Sequence, residues 1–267
     1  FSGSAIVDKG NRARICPTGT QDCMVAFYTS HIEGKVQHQS LAYSPDGGAT
    51  WSKYDKNPII DLDNKDFRDP KVFWHQATQK WVMAVNLPTE HKVLFYGSTN
   101  LTEWTKLSEF GGIGDISKNW ECPDLIPLRV ANEPGVTKWV LIISGGSPTT
   151  NSFGMQYFVG NFDGQTFTLD EGETGSHILD YGKDFYAAVT WNNDPYQRPL
   201  LIGWMNNWDY ANDIPTTPWK SAQSLVRRLS LLKNEGGYKI HQSVLQDLQT
   251  LRGSGLKLSN VGVPNAP

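Results

Sequence analysis

Ser44-Pro45-Asp46-Gly47-Gly48-Ala49-Thr50-Trp51 joins a run ending at Tyr43 to an aromatic residue, and the arrangement returns twice. Ser98-Thr99-Asn100-Leu101-Thr102-Glu103-Trp104 follows a run ending at Tyr96, and Asn161-Phe162-Asp163-Gly164-Gln165-Thr166-Phe167 follows one ending at Val159. Each copy is a strand, a tight polar turn and an aromatic residue opening the next strand. Trp51 and Trp104 lie 53 residues apart, Trp104 and Phe167 63. Periods near 50 residues, with several strands in each, point to propeller blades rather than a sandwich. At that spacing 267 residues hold four to five blades.

The rest of the chain agrees with an all-β reading. Short runs rich in β-branched and aromatic residues recur, among them Met24 to Thr29, Lys71 to Trp74, Trp81 to Val85, Trp139 to Ile143, Phe185 to Trp191 and Leu200 to Trp204. Hydrophobic content is 39%, but 10 Trp, 10 Tyr and 11 Phe supply burial while 25 Gly and 15 Pro supply turns. Helical periodicity is nearly absent before residue 240; Ser243 to Leu251 is expected to make a short helix. The expected organisation is one propeller domain over 1–240 and a connector over 241–267. Because Phe1 already stands in a strand-like run, the chain reads as a piece of something longer, with its first blade incomplete.

Charge is nearly balanced, 24 Lys+Arg against 27 Asp+Glu, so no nucleic-acid surface is expected. No apolar run approaches the roughly 18 residues of a membrane span. Walker, dinucleotide and Gly-x-Ser-x-Gly signatures are missing, so no cofactor is expected. The six His share no ligand spacing, and no metal is expected. Cys16 and Cys23 could close a small loop or stand as two thiols; the spacing leaves both open. The sequon Asn100-Leu101-Thr102 fits a secreted protein. Oligomeric state is not legible.

Two segments could carry chemistry. In Phe67-Arg68-Asp69-Pro70, a guanidinium beside a carboxyl should keep Asp69 ionised, which suits charge stabilisation. In Trp120-Glu121-Cys122-Pro123-Asp124, apolar neighbours should favour a protonated Glu121, which suits a general acid. Either alone reads equally as a surface strand-edge group. Both sit at early strands of successive repeats, however, and a propeller's innermost strands line one channel. One ionised and one protonated carboxyl is the pairing that glycoside hydrolysis requires. Trp204, Trp208 and Trp219 would suit stacking on sugar faces, or core packing.

An ordered set of segments resembles glycoside hydrolase family 32, the β-fructofuranosidases (invertases, inulinases, levanases). The set is Phe1-Ser2-Gly3-Ser4-Ala5, Phe67 to Trp74, Trp120 to Leu125, Gln156 to Gly160, Asp180 to Ala187, Ile202 to Trp208 and Pro218 to Ala222, spanning residues 1 to about 230. The resemblance implies a five-bladed propeller followed by a β-sandwich, and retaining hydrolysis of terminal β-fructofuranosides in sucrose, inulin or levan. It implies Glu121 as acid/base with Cys122 beside it, and Asp69 as transition-state stabiliser, held by Arg68. Phe1, Ser2 and Trp208 would line the fructose pocket, and Asp180 and Lys183 would contact the far sugar. An extracellular location is expected, in keeping with the sequon.

The family's nucleophile is an Asp in a Trp-x-Asn-Asp-Pro-Asn-Gly motif ahead of the Phe-Ser-Gly-Ser segment, and these 267 residues do not contain it. Trp191-Asn192-Asn193-Asp194-Pro195 spells part of it but reads as hairpin turn chemistry, and Asp8 likewise as a turn residue. The chain alone is therefore expected to show little hydrolase activity, and to aggregate through unpaired edges of its first blade. Two other readings are a fructan-binding propeller without catalysis and a fructosyltransferase of the same fold. The turn at Asp46 also resembles the Asp box of sialidases, but no Arg set to clamp a carboxylate accompanies it.

Overall fold

The computed structural model describes residues 1–147, 152–256 and 259–262. Among the described residues, eighteen strands form four antiparallel sheets. The first sheet holds β1 (Gly3–Lys9), β2 (Asp22–Ile32), β3 (Val36–Ser44) and β4 (Ser52–Lys53); the second holds β5 (Arg68–His75), β6 (Lys80–Leu87), β7 (Lys92–Ser98) and β8 (Thr105–Gly111). In the third are β9 (Glu121–Arg129), β10 (Thr137–Ser147), β11 (Ser152–Phe162), β12 (Phe167–Leu169) and β13 (His177–Ile178). In the fourth are β14 (Tyr186–Thr190), β15 (Leu200–Met205), β16 (Ala222–Gln223), β17 (Arg227–Asn234) and β18 (Gly237–Val244).

Successive sheets pack face to face through three apolar cores. Ile6, Val25 and Leu41 meet Val72, Met83 and Leu94 between the first two sheets. Phe73, Val82 and Phe95 meet Leu125, Leu141 and Phe158 between the next two, and Val140, Ile142 and Val159 meet Leu201, Leu229 and Leu231 between the last two. All are buried, and in the middle two sheets alternate residues face opposite cores, Met83 and Val85 one and Val82 and Ala84 the other, so those strands are buried on both faces.

The repeated turns are the outer hairpins of the blades. Ser44 Oγ and the Thr50 hydroxyl donate to Asp46, and Trp51 Nε1 donates back to the Gly48 carbonyl at 3.0 Å. Asn100 Oδ1 accepts from the Thr102 and Glu103 amides, and Trp104 Nε1 reaches the Leu101 carbonyl at 2.9 Å. Asp163 Oδ1 accepts from Gln165 and Thr166. A fourth, unforeseen copy closes the last blade, where Asn234 Oδ1 accepts from the Gly236 amide and Tyr238 is the second residue of β18.

The first blade corrects the expectation. It is a complete four-stranded sheet, because β1 finds its partner in β2 from Gly3↔Tyr28 to Lys9↔Asp22 and leaves no strand of that blade missing. Four blades are present among the described residues, not five. Cys16 and Cys23 form a disulfide that closes the loop between β1 and β2. The expected helix near the end is a 3-10 turn, Gln246–Leu251, and β18 runs past residue 240 to Val244. Of the expected connector 241–267, residues 257, 258 and 263–267 lie outside the described residues.

The first strand of every sheet lies innermost. Ser4 Oγ on β1 bonds the Pro70 carbonyl and the Val72 amide on β5. Lys71 on β5 meets Asp124 on β9, which also accepts from the Thr190 amide on β14 at 2.6 Å. Asn192, just beyond β14, donates to the carbonyls of Ala5 and Val72, both at 2.9 Å. These bonds draw four strands from four blades around one axis.

Candidate active site

At the leading ends of the inner strands, three side chains from three blades form one hydrogen-bonded chain. Arg68 Nη2 donates to Glu121 Oε1 at 2.9 Å, and the Tyr186 hydroxyl donates to Glu121 Oε2 at 2.7 Å. The other arm of Arg68 pairs with Asp66. Arg68 keeps 14% of its side chain exposed and Glu121 25%, so the pair is partly open to solvent.

Asp69 takes a different partner from the expected one. Its Oδ2 accepts the Cys122 backbone N–H at 3.0 Å, while Arg68 spends its guanidinium on Asp66 and Glu121. Neighbours along a strand point to opposite sides, so adjacency in sequence did not make Arg68 and Asp69 a pair. Burial pushes the Asp69 carboxyl above the usual carboxylate range, opposed by the Cys122 amide and by Arg68. The expectation of an Asp69 held low by its neighbour is therefore corrected. Burial of the Cys122 thiol, with Asp69 and Glu121 nearby, pushes that thiol well up.

The surroundings of Glu121 are corrected in the same way. Trp120 is fully buried against Phe158 and His91, and the Glu121 carboxyl meets Arg68 and Tyr186 rather than an apolar wall. Burial, then the nearness of Glu121, pushes the Tyr186 hydroxyl far up, so Tyr186 stays a neutral donor. Burial alone would lower Arg68, but Glu121 and Asp66 overcome it and hold the guanidinium charged.

The inner strands bend identically to present this chain. Arg68 opposes Asn86 and Lys71 opposes Ala84; Glu121 opposes Ser144 and Asp124 opposes Ile142; Tyr186 opposes Trp204 and Val189 opposes Ile202. Each is a one-residue bulge. The residue after each site residue has left-handed backbone, with φ +68° at Asp69, +48° at Cys122 and +48° at Ala187.

The remaining anticipated residues flank this chain. The Phe1 nitrogen donates to the Thr29 carbonyl, the Ser2 carbonyl accepts from the Thr29 amide, and Thr29 Oγ1 accepts from the Asp69 amide at 3.0 Å. Phe1 is exposed and stacks on His31 at 4.6 Å. On the other side Trp208, 50% exposed, lies 4.9 Å from Trp204, whose ring neighbours Tyr186. Buried Asn207 ties Trp208's loop to the carbonyls of Phe153 and Lys183. Lys183 Nζ stands 3.6 Å from Asp209. Asp180 is occupied, accepting from the Gly182 amide and from Arg227 at 2.5 Å.

Asp194 lies in the loop beyond the far end of β14, whereas Asp8, expected in a turn, is a buried residue of β1 itself, paired with Cys23 near the far end of that strand. Asp194 is filled by Arg198 and the Tyr196 amide, and Asp8 accepts from the Ala13 amide. Sequence reasoning missed Asp66, Thr29 and Tyr186. The third had a signal: Tyr186-Ala187-Ala188 repeats the placement of Arg68-Asp69-Pro70 and Glu121-Cys122-Pro123 at the head of an inner strand. Among the described residues, no group of three His, Cys, Asp or Glu is arranged to hold a metal. A cavity of about 540 Å³ opens at the far ends of the inner strands, among Trp74, Trp81, Trp139 and Trp191, and touches neither Asp69 nor Glu121.

Fold and site together define an all-β propeller with carboxyl groups converging at one end of its axis. The chain belongs to the glycosyl hydrolases family 32, whose N-terminal domain description matches residues 1–243. A levanase of Bacillus subtilis (strain 168) is 46% identical over 271 residues, covering 100% of this chain and 39% of the relative. The crystal structure of exo-inulinase from Aspergillus awamori is similar with a TM-score of 0.87 at 37% identity, over 94% of this chain and 53% of that one. A fructofuranosidase from Schwanniomyces occidentalis complexed with fructose gives 0.85 at 38% identity, over 92% and 49%. The chain spans about half or less of the length of these relatives.

Proposed function

We propose that this chain is the propeller portion of a retaining β-fructofuranosidase that releases terminal fructose from sucrose, inulin or levan. The observation that carries the reading is Glu121 held between Arg68 and Tyr186, with Asp69 one peptide N–H away. A guanidinium donates only, so the oxygen facing Arg68 stays an acceptor, and the transferable proton belongs on Oε2, beside Tyr186. From there it passes to the leaving glycosidic oxygen, and Glu121 then deprotonates the incoming water. Asp69, fixed by the Cys122 amide, accepts fructose hydroxyls and opposes charge that grows on the ring. Phe1, Ser2 and Trp208 flank the sugar; Lys183 serves the far side, while Asp180 acts there only by exchanging Arg227 for substrate.

The nucleophilic carboxylate is assigned to a residue outside these 267. A fifth blade between the fourth and first sheets fits the same reading, since Val189 and Val244 stand exposed on the fourth sheet and Leu225 in the loop between β16 and β17. Residues 1–240 would then be the partial catalytic propeller and 241–267 the way out of it. The Cys16–Cys23 bond supports an extracellular site of action.

The test is fructose release from sucrose, inulin and levan, by this chain and by the whole polypeptide that carries it. The reading expects turnover by the whole polypeptide, abolished by Glu121→Gln, and little by the chain alone. Fructose release that survives Glu121→Gln unchanged overturns it.

A further inference from the structure

The three inner strands that carry the site share one distortion at one register, described above. A bulge turns a strand so that a neighbouring side chain is re-aimed, and bulges gather beside active sites for that reason. Left-handed backbone is disfavoured for a residue with a Cβ, so three such residues at equivalent positions are held there by something. The residues ahead of them are Arg68, Glu121 and Tyr186, the three that are hydrogen-bonded together.

Two of the three left-handed residues have further contacts. Asp69 supplies a carboxylate and Cys122 supplies the amide that binds it. Ala187 has only a methyl group, half-buried, and adopts the same conformation without any polar contact of its side chain. We propose that Ala187 is a positioning residue, whose left-handed backbone aims the Tyr186 hydroxyl at Glu121 Oε2. The assignment rests on the reading of Glu121 as acid/base. It predicts that position 187 is selective for backbone conformation rather than for size.

Asn and Val are similar in bulk, but Asn visits left-handed backbone readily while Val, branched at Cβ, resists it. In the whole polypeptide, Ala187→Gly and Ala187→Asn should keep kcat within about threefold, whereas Ala187→Val lowers it roughly tenfold with KM unchanged. In a Tyr186→Phe background the Val substitution should cost nothing more. Equal behaviour of the Asn and Val variants overturns the proposal, as does a Val loss that persists undiminished without the Tyr186 hydroxyl. Should the Val variant not fold, Ala187→Thr, likewise branched at Cβ, replaces it in the same comparison. A wild type that releases no fructose defeats the functional reading instead. The proposal is then decided by a crystal structure of the variant: the 2.7 Å Tyr186–Glu121 bond is expected broken, and finding it intact refutes the aiming role.

Discussion

The Tyr186 hydroxyl and Glu121 Oε2 stand 2.7 Å apart, though 65 residues separate them in the chain and they belong to different blades. Glu121 thereby receives one donor on each oxygen, and only the Tyr186 side can also accept. Under the proposed acid/base role of Glu121, its proton is steered to one oxygen by these two neighbours.

Replacing Tyr186 with Phe removes the donor and keeps the ring. A hydrogen bond to a charged group is worth about 1.5–3 kcal/mol, so kcat should fall roughly 10- to 100-fold with little change in KM. Because the wild-type hydroxyl is pushed far up, it contributes no limb of its own to the pH profile. A pH–rate series on both proteins checks this.

Asp69→Asn should be inactive yet become more stable relative to the wild type as pH rises. Burial raises the Asp69 carboxyl in the folded state, so the stability tied to its neutral form is full below the unfolded value and lost as pH rises through the folded one. Asn stays neutral throughout and can still accept the Cys122 amide. Thermal unfolding of both proteins from acid to neutral pH should show the gap opening in favour of Asn. A gap that closes instead contradicts the burial argument.

The Lys71–Asp124 pair is buried, with Lys71 on Asp124 Oδ2, and Asp124 Oδ1 has no hydrogen-bond partner among the described residues. Lys71→Met should destabilise by about 3–5 kcal/mol, because it strands a buried carboxylate. Adding Asp124→Leu should recover much of that loss. Denaturant midpoints of the single and double variants, read as a cycle, measure it.

The Asp46 turn should be an acid-labile element. The Thr50 hydroxyl, then the Thr50 amide and Ser44, hold its carboxyl down at about 2 against an ordinary 3.8. A depressed value contributes stability above 3.8 that is lost as pH falls toward 2. Asp46→Asn does not titrate, so its stability should fall less steeply over that interval in acid-unfolding curves.

The blade period was legible because a tight turn needs Asp, Asn or Gly at set positions whatever surrounds it. Its fourth copy, Asn234 to Tyr238, escaped notice because Asn and two Gly without the Ser-Thr frame of the first copy look like any loop. The first blade's completeness was illegible for another reason. Whether β1 opens a sheet or ends one depends on where β2 folds back, through a loop that the Cys16–Cys23 bond closes.

At the site, residue types in order were enough to pick out Asp69, Glu121 and Arg68 and to name their family. The sequence by itself determined an all-β chain of repeated blades with two carboxyl-bearing segments at matching strands. Only the tertiary structure decided that Arg68 serves Glu121 rather than Asp69, that Cys122 binds Asp69 through its backbone, and that Tyr186 completes the chain. The physical reason is that side-chain direction on a strand alternates and is reset at every bulge. Partners across blades are therefore set by register and left-handed backbone, which adjacency in sequence does not encode.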